Sequence, residues 1–163
     1  MNLPIPTFEW WEGIDEISGC IKLYSASFVS LLINREAVKK VGYPIKEMFI
    51  WRDDVEFTSR ITRAGFSNYY IEASKVSHMT EENVSMDYAR IDEKDLWKWK
   101  IGARNHVALE RSGKYGLISS CLLLCSILYR MMRNNVPDKI KASIMIAGLK
   151  GLFYNYKKYI VIP

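Results

Sequence analysis

Hydrophobic and polar positions follow two rhythms along the chain. In the first half, apolar residues come in short β-type runs, Ile17 to Tyr24 and Phe28 to Ile33. Asn34 then offers an N-cap to a short helix, Arg35 to Val41, which Gly42 and Pro44 stop. Phe49 to Trp51 leads into a second helix that runs to about Ala64, with Phe57, Ile61 and Ala64 at spacings of four and three making one apolar stripe. Gly65 ends it, and Phe66 to Val76 reads as a strand with Tyr69, Ile71 and Ala73 on one face. Residues 1–17 carry no period and read as an irregular lead-in; Met79 to Asp92 is polar and reads as a loop.

The second half has a helical rhythm. From Lys94 to Arg111, Leu96, Trp99, Ala103, Val107 and Glu110 follow a 3-4-4-3 spacing, and four of the five are apolar. Gly113 and Gly116 interrupt the chain, and Leu117 to Tyr129 is almost wholly apolar. Asn134, Asn135 and Pro137 predict a turn. Lys139 to Tyr156 sets Ile140, Ile144, Met145, Leu149 and Leu152 against Lys139, Lys141 and Lys150. No apolar run reaches the roughly 18 to 20 residues that cross a bilayer, and Met1 to Thr7 lacks the order of a signal peptide. The pattern predicts an α/β (α+β) chain in two regions. Residues 1–92 hold a few strands and the helix after Trp51; residues 93–163 are helical.

Composition narrows this. Apolar residues at 49% and charged residues at 25% exclude a disordered chain. The net charge is +5, and Lys and Arg gather after Lys94 around the two apolar segments. A basic, apolar C-terminal third suits an anionic membrane surface, and without a nucleic-acid motif no nucleic-acid partner is expected. Cys20, Cys121 and Cys125 form no C-x-x-C pair and are expected buried and reduced, which fits a cytoplasmic setting.

The stretch that carries chemistry is Phe49-Ile50-Trp51-Arg52-Asp53-Asp54-Val55-Glu56-Phe57. Helix starts favour carboxylates because the first backbone N–H groups lack partners. A carboxylate held there beside a Trp is also placed to take a proton from a substrate hydroxyl. Spacing alone leaves both readings open.

The ordered set of Ser27 to Pro44, Phe49 to Phe57, Arg60-Ile61, Ala64-Gly65, Val76-Ser77-His78, Trp97 to Asn105 and Gly148 to Leu152 resembles the family 2 glycosyltransferases. The rhamnosyl- and galactofuranosyl-transferase type is the nearest look-alike, over roughly residues 20–155. The resemblance implies part of a GT-A fold and an inverting, metal-dependent sugar transfer in cell-surface polysaccharide synthesis. It implies Asp54 as general base, Asp53, Glu56, Trp51, Arg104 and Asn105 on the acceptor side, and His78 as a ligand of a divalent metal, Mn²⁺ or Mg²⁺. Each has a structural alternative. Asp53 caps the helix, Glu56 faces solvent, Trp51 is core, Arg104 and Asn105 are a surface pair, and His78 only ends a strand. His106 is read as structural.

The family's D-x-D motif, which holds metal and nucleotide, lies upstream of the matched residues, and this sequence has no D-x-D and no glycine-rich phosphate loop. The chain therefore looks like an acceptor-side half. The nucleotide-sugar donor and the remaining metal ligands are expected to need the donor half. The expected acceptor is a glycan, lipid-linked, and the expected location is cytoplasmic, peripheral to the inner face of the cell membrane. Leu117 to Tyr129 and Lys139 to Tyr156 read as an in-plane anchor or as a helical pair packed on the catalytic domain. Uncovered strand edges and apolar faces predict self-association. The alternative function is a catalytically inactive peripheral membrane or interaction module derived from such an enzyme.

Overall fold

A computed structural model describes residues 11–14, 17–77, 79, 86–88, 91 and 93–163, with side chains from residue 17 onward. His78 lies outside the described residues. The elements are β1 (Trp11–Ile14), β2 (Ile21–Leu23), α1 (Arg35–Val41), α2 (Asp53–Arg63), β3 (Asn68–Tyr70), α3 (Leu96–Arg111), α4 (Gly116–Arg133) and α5 (Asp138–Gly151), with single 3-10 turns between some of them. The chain is mixed α and β, mostly helical, with one small antiparallel sheet of order β1-β2-β3. It divides into two compact units. One is drawn from residues 1–44, 54–83 and 160–163, the other from 45–53 and 84–159.

In the first unit, Asn34 Oδ1 accepts from Glu36 N at 2.8 Å and starts α1, and Gly42 at φ 86° ends it. Ala37 and Val41 of α1 bury against Phe57 and Ile61 of α2, with Ile33, Val38, Ala64 and Phe66 around them. The other face of α2 is polar. Thr58 Oγ1 accepts from Ala26 N at 2.9 Å, Thr62 Oγ1 donates to Tyr24 O at 2.8 Å, and Asn68 Nδ2 donates to Thr62 Oγ1 at 2.7 Å.

These hydroxyl bonds explain where the strand expectations fail. The run Ile17 to Tyr24 holds β2 at Ile21–Leu23; after it the backbone of Tyr24 and Ala26 bonds to α2, and Phe28 to Ile33 is not β. Ser27 instead caps a 3-10 turn, Phe28–Ser30. The strand expected over Phe66 to Val76 is only Asn68–Tyr70, because β2 offers three residues to pair with, and a turn closed by Ser74 N to Ile71 O follows. The irregular lead-in contains β1, paired with β2 through a bulge between Trp11 and Gly13.

In the second unit, Trp99, Ala103 and Val107 of α3 are buried, as their spacing predicts. Trp99 and Ala103 form a core with Tyr88, Ile127, Met131, Val136, Ile140 and Ile144. Two glycines let α5 approach closely. A Cβ on Gly151 would lie 2.5 Å from Arg104 O and 2.9 Å from Val107 Cβ, and one on Gly148 would lie 2.8 Å from Leu124 Cδ2.

Helix α4 differs from its expectation. The apolar run recruits Gly116 and Arg130–Arg133, giving 18 residues that are long and apolar enough to cross a membrane by length and composition. Ser120, Leu124, Ile127 and Met131 point inward, but only 22% of that window is buried. Cys121 and Cys125 lie on the outward face, so the expectation that these thiols are buried is corrected; both are exposed and free. The last helix ends at Gly151, not Tyr156, leaving Phe153 88% exposed.

Because a backbone carbonyl cannot move as a flexible side chain can, Gly151→Ala should destabilise the protein by about 1–3 kcal/mol, read as a lowered urea midpoint. An unchanged midpoint would show that α5 shifts freely on α3.

Candidate functional site

The acidic pair is delivered by a strained loop. Phe49, Trp51 and Arg52 have φ of 60°, 57° and 72°. None is glycine, and each left-handed residue costs about 1–2 kcal/mol. Such a conformation persists only where surrounding contacts over-determine it, and here α3 supplies them. Asn105, fully buried, donates from Nδ2 to the carbonyls of Met48 (2.8 Å), Ile50 (3.1 Å) and Trp51 (3.0 Å). Three acceptors on two hydrogens means one is shared. Asn105 Oδ1 accepts from Arg104 Nε and Nη2 at 3.1 and 2.9 Å, and Arg104 Nη2 also donates to Glu47 O at 2.7 Å. The carbonyls of Glu47, Met48, Ile50 and Trp51 are thus fixed by two adjacent side chains.

Side chains complete the hold. The Trp51 ring lies against Gly102, where a Cβ would come within 2.5 Å of Cε3, and meets Trp99 edge to face at 4.8 Å. Arg52 Nη2 sits 2.8 Å from His106 Nε2. A guanidinium only donates, so Nε2 accepts and the ring proton is on Nδ1, which is buried with no partner among the described residues. Burial, then the positive charges of Arg52 and Arg130, push the His106 pKa down to about 3.

The three carboxylates have different surroundings. Asp53 opens α2 and is half-buried. Asp54, also half-buried, accepts from Val55 N at 2.8 Å with Oδ1, while Oδ2 has no hydrogen-bond partner among the described residues. Glu56 is 1% exposed, so it does not face solvent. The Arg60 fork takes both its oxygens, Nε at 2.9 and 3.2 Å and Nη2 at 3.0 Å. Arg60 also donates to the carbonyls of Val41 and Tyr43 and lies over the Phe57 ring.

Of the residues singled out in the sequence, the second unit brings Trp51, Arg104 and Asn105 together. Asn105 is buried there, so the surface-pair alternative does not hold for it. Asp54 and Glu56 share the start of α2 in different environments. Gly102, the Arg52–His106 contact and the Arg60 fork were not anticipated. Of these only the Glu56/Arg60 spacing of four carried a signal in the sequence. Among the described residues no three His, Cys, Asp or Glu side chains converge on a point that could hold a metal. No protein family, curated protein or solved structure matches the chain.

Two outcomes test the clamp. Asn105→Leu leaves buried carbonyls unpaired over a strained loop and should cost about 2–3 kcal/mol in urea unfolding; a loss under half of that would show the loop holds itself. His106 is neutral when folded, and its pKa returns to the ordinary 6.5 when the chain unfolds. Between those values the unfolded chain binds the extra proton. Stability is therefore full above pH 6.5 and falls toward pH 3, by at most about 1.4 kcal/mol per pH unit. Urea titrations at about pH 7.5 and 5 should show the loss, and His106→Gln should shrink it.

Proposed function

We propose that this chain is the acceptor-side portion of an inverting, metal-dependent glycosyltransferase of the family 2, GT-A type. It would act on a glycan acceptor, lipid-linked, in cell-surface polysaccharide synthesis. The reading rests on the resemblance of the ordered residue set. The single structural observation that supports it is Asp54: a half-buried carboxylate at the opening of α2, following a strained loop, with one oxygen bound to its own helix and the other without a hydrogen-bond partner among the described residues. In the proposed step Asp54 Oδ2 accepts the proton of an acceptor hydroxyl. The hydroxyl oxygen bonds to the anomeric carbon from the far side. The bond from that carbon to the diphosphate breaks, and the nucleoside diphosphate leaves with the electron pair. A bound Mn²⁺ or Mg²⁺ would neutralise the departing diphosphate, with His78 its proposed ligand from this chain. Trp51, Asp53, Arg104 and Asn105 shape or position the acceptor side in this reading, Asn105 by holding the loop and not by touching sugar.

The location that goes with this function is the inner membrane face. Helix α4 and its N-cap expose Tyr115, Ile118, Leu122, Tyr129 and Met132 at heptad spacing, flanked by Lys114, Arg130 and Arg133. A core helix would bury most of its apolar residues, and this one does not. An apolar stripe with basic flanks suits an in-plane anchor on anionic lipid. The same stripe is the observation that favours the second reading, a peripheral membrane module without catalysis.

Transfer of a labelled sugar, assayed with a D-x-D-bearing donor half supplied, tests the first reading. Asp54→Asn should lower transfer by about 10²- to 10⁴-fold at unchanged melting temperature. Retained transfer would remove Asp54 as base. No transfer with any supplied half would leave the module reading. For the membrane, binding should favour phosphatidylserine vesicles over phosphatidylcholine, fall with salt, and weaken by about tenfold or more in Leu122→Glu. Equal retention on both vesicles would remove the electrostatic part.

A further inference from the structure

The second unit also carries a groove that the acidic motif does not use. It has a volume of about 360 Å³ and lies between α3 and α5. Lys100 and Arg104 of α3 line one side and Lys150 of α5 the other, and no Asp or Glu is among its lining residues. Lys100 and Arg104 stand four apart on one helix, a spacing at which like charges repel. Lys150 is brought across to them because Gly151 lets α5 sit against the Arg104 carbonyl. None of the three has an ion-pair partner among the described residues. Arg104 commits Nε and Nη2 to Asn105 and Glu47 and stacks its guanidinium on Tyr154 at 4.2 Å, and Nη1 has no hydrogen-bond partner among the described residues. Three converging cations, one of them fixed in orientation, favour a compact multivalent anion.

Beside the cations runs an apolar strip. Ile146 lines the groove; Leu149 stands three residues further along α5, and Phe153 follows in the turn after the helix end. They are 55%, 48% and 88% exposed. An anion site that opens onto a strip of exposed hydrocarbon matches a ligand with a charged head and a greasy tail.

We propose that this groove binds a phosphate-bearing amphiphile, with the phosphate on Lys100, Arg104 and Lys150 and the alkyl chain along Ile146, Leu149 and Phe153. Because Arg104 also holds Glu47 O and orients Asn105, the bound phosphate steadies the clamp on the loop that leads into Asp53 and Asp54. The proposal stands apart from the transferase reading, since binding needs neither donor nor transfer.

Calorimetry on the full chain with octyl phosphate below its micelle concentration, inorganic phosphate and octanol separates the parts. Octyl phosphate should bind at least about tenfold more tightly than inorganic phosphate, and octanol should show no saturable binding. Lys100→Gln with Lys150→Gln, both exposed and outside the core, should lose about tenfold or more of the octyl phosphate affinity. Ile146→Ser with Phe153→Ser should lose the advantage of the chain and keep the phosphate affinity. Equal affinity for inorganic and octyl phosphate would overturn the amphiphile in favour of a free-anion site. Unchanged octyl phosphate binding in the double lysine variant would overturn the groove itself.

Discussion

The buried amide of Asn105 is the interaction on which the loop before α2 depends. A chain segment with three left-handed, non-glycine residues in four positions is not a conformation a free loop would keep. It keeps it because the Asn105 amide donates to the carbonyls of Met48, Ile50 and Trp51, with Met48 O also taking Ile50 N at 2.7 Å, and that amide is locked by Arg104 through its own oxygen. Burial strengthens each of these bonds and makes each unmade one expensive, so the loop has one well-satisfied arrangement. Gly102 contributes by absence. Any side chain there would displace the Trp51 ring and with it the carbonyl that Asn105 holds.

A second constraint is how cations are distributed along α3. Arg104 is turned into the structure and partly spent on the Glu47 carbonyl and the Asn105 amide oxygen, whereas Lys100, one turn earlier, stays exposed. Arg52 sits on a neutral imidazole, not on a carboxylate. Lys98 and Lys141 of the same unit pair with Asp95 and Asp138, whereas Arg52, Lys100, Arg104 and Lys150 have no ion-pair partner among the described residues. Leaving them unneutralised is consistent with surfaces that meet phosphate, whether in a groove or on lipid.

The sequence told part of this. The ends of α1 were legible in Asn34 and Gly42, because caps are local chemistry. The α3 stripe was legible because Trp99, Ala103 and Val107 all face one core. The strands were legible in part: β2 and β3 fall inside the runs Ile17 to Tyr24 and Phe66 to Val76, but Phe28 to Ile33 is not β, and the hydroxyls of Thr58 and Thr62 take the backbone groups of Ala26 and Tyr24 that a periodicity argument leaves to a sheet. Exposure of Cys121 and Cys125 was not legible either. An all-apolar run hides which side turns inward, and only the positions of Ser120, Leu124, Ile127 and Met131 decide it. For the loop, strain leaves no mark when the residues that carry it are Phe, Trp and Arg. The acidic motif could be located but its three carboxylates could not be ranked.

Ranking them is what the structure adds. A general base needs a lone pair that a substrate can reach, and no fixed cation that makes the anion content as it is. Glu56 fails on both counts, since the Arg60 fork occupies its two oxygens in a buried site. Removing either partner there would strand a buried charge at a cost of about 3–5 kcal/mol, so its role is to hold α2 to the end of α1. Asp53 is already engaged by another group. Asp54 spends one oxygen on the Val55 amide, which fixes the carboxylate's direction, and its second oxygen has no hydrogen-bond partner among the described residues. In the proposed transferase reading that arrangement, more than the position at a helix start, is why Asp54 is given the proton.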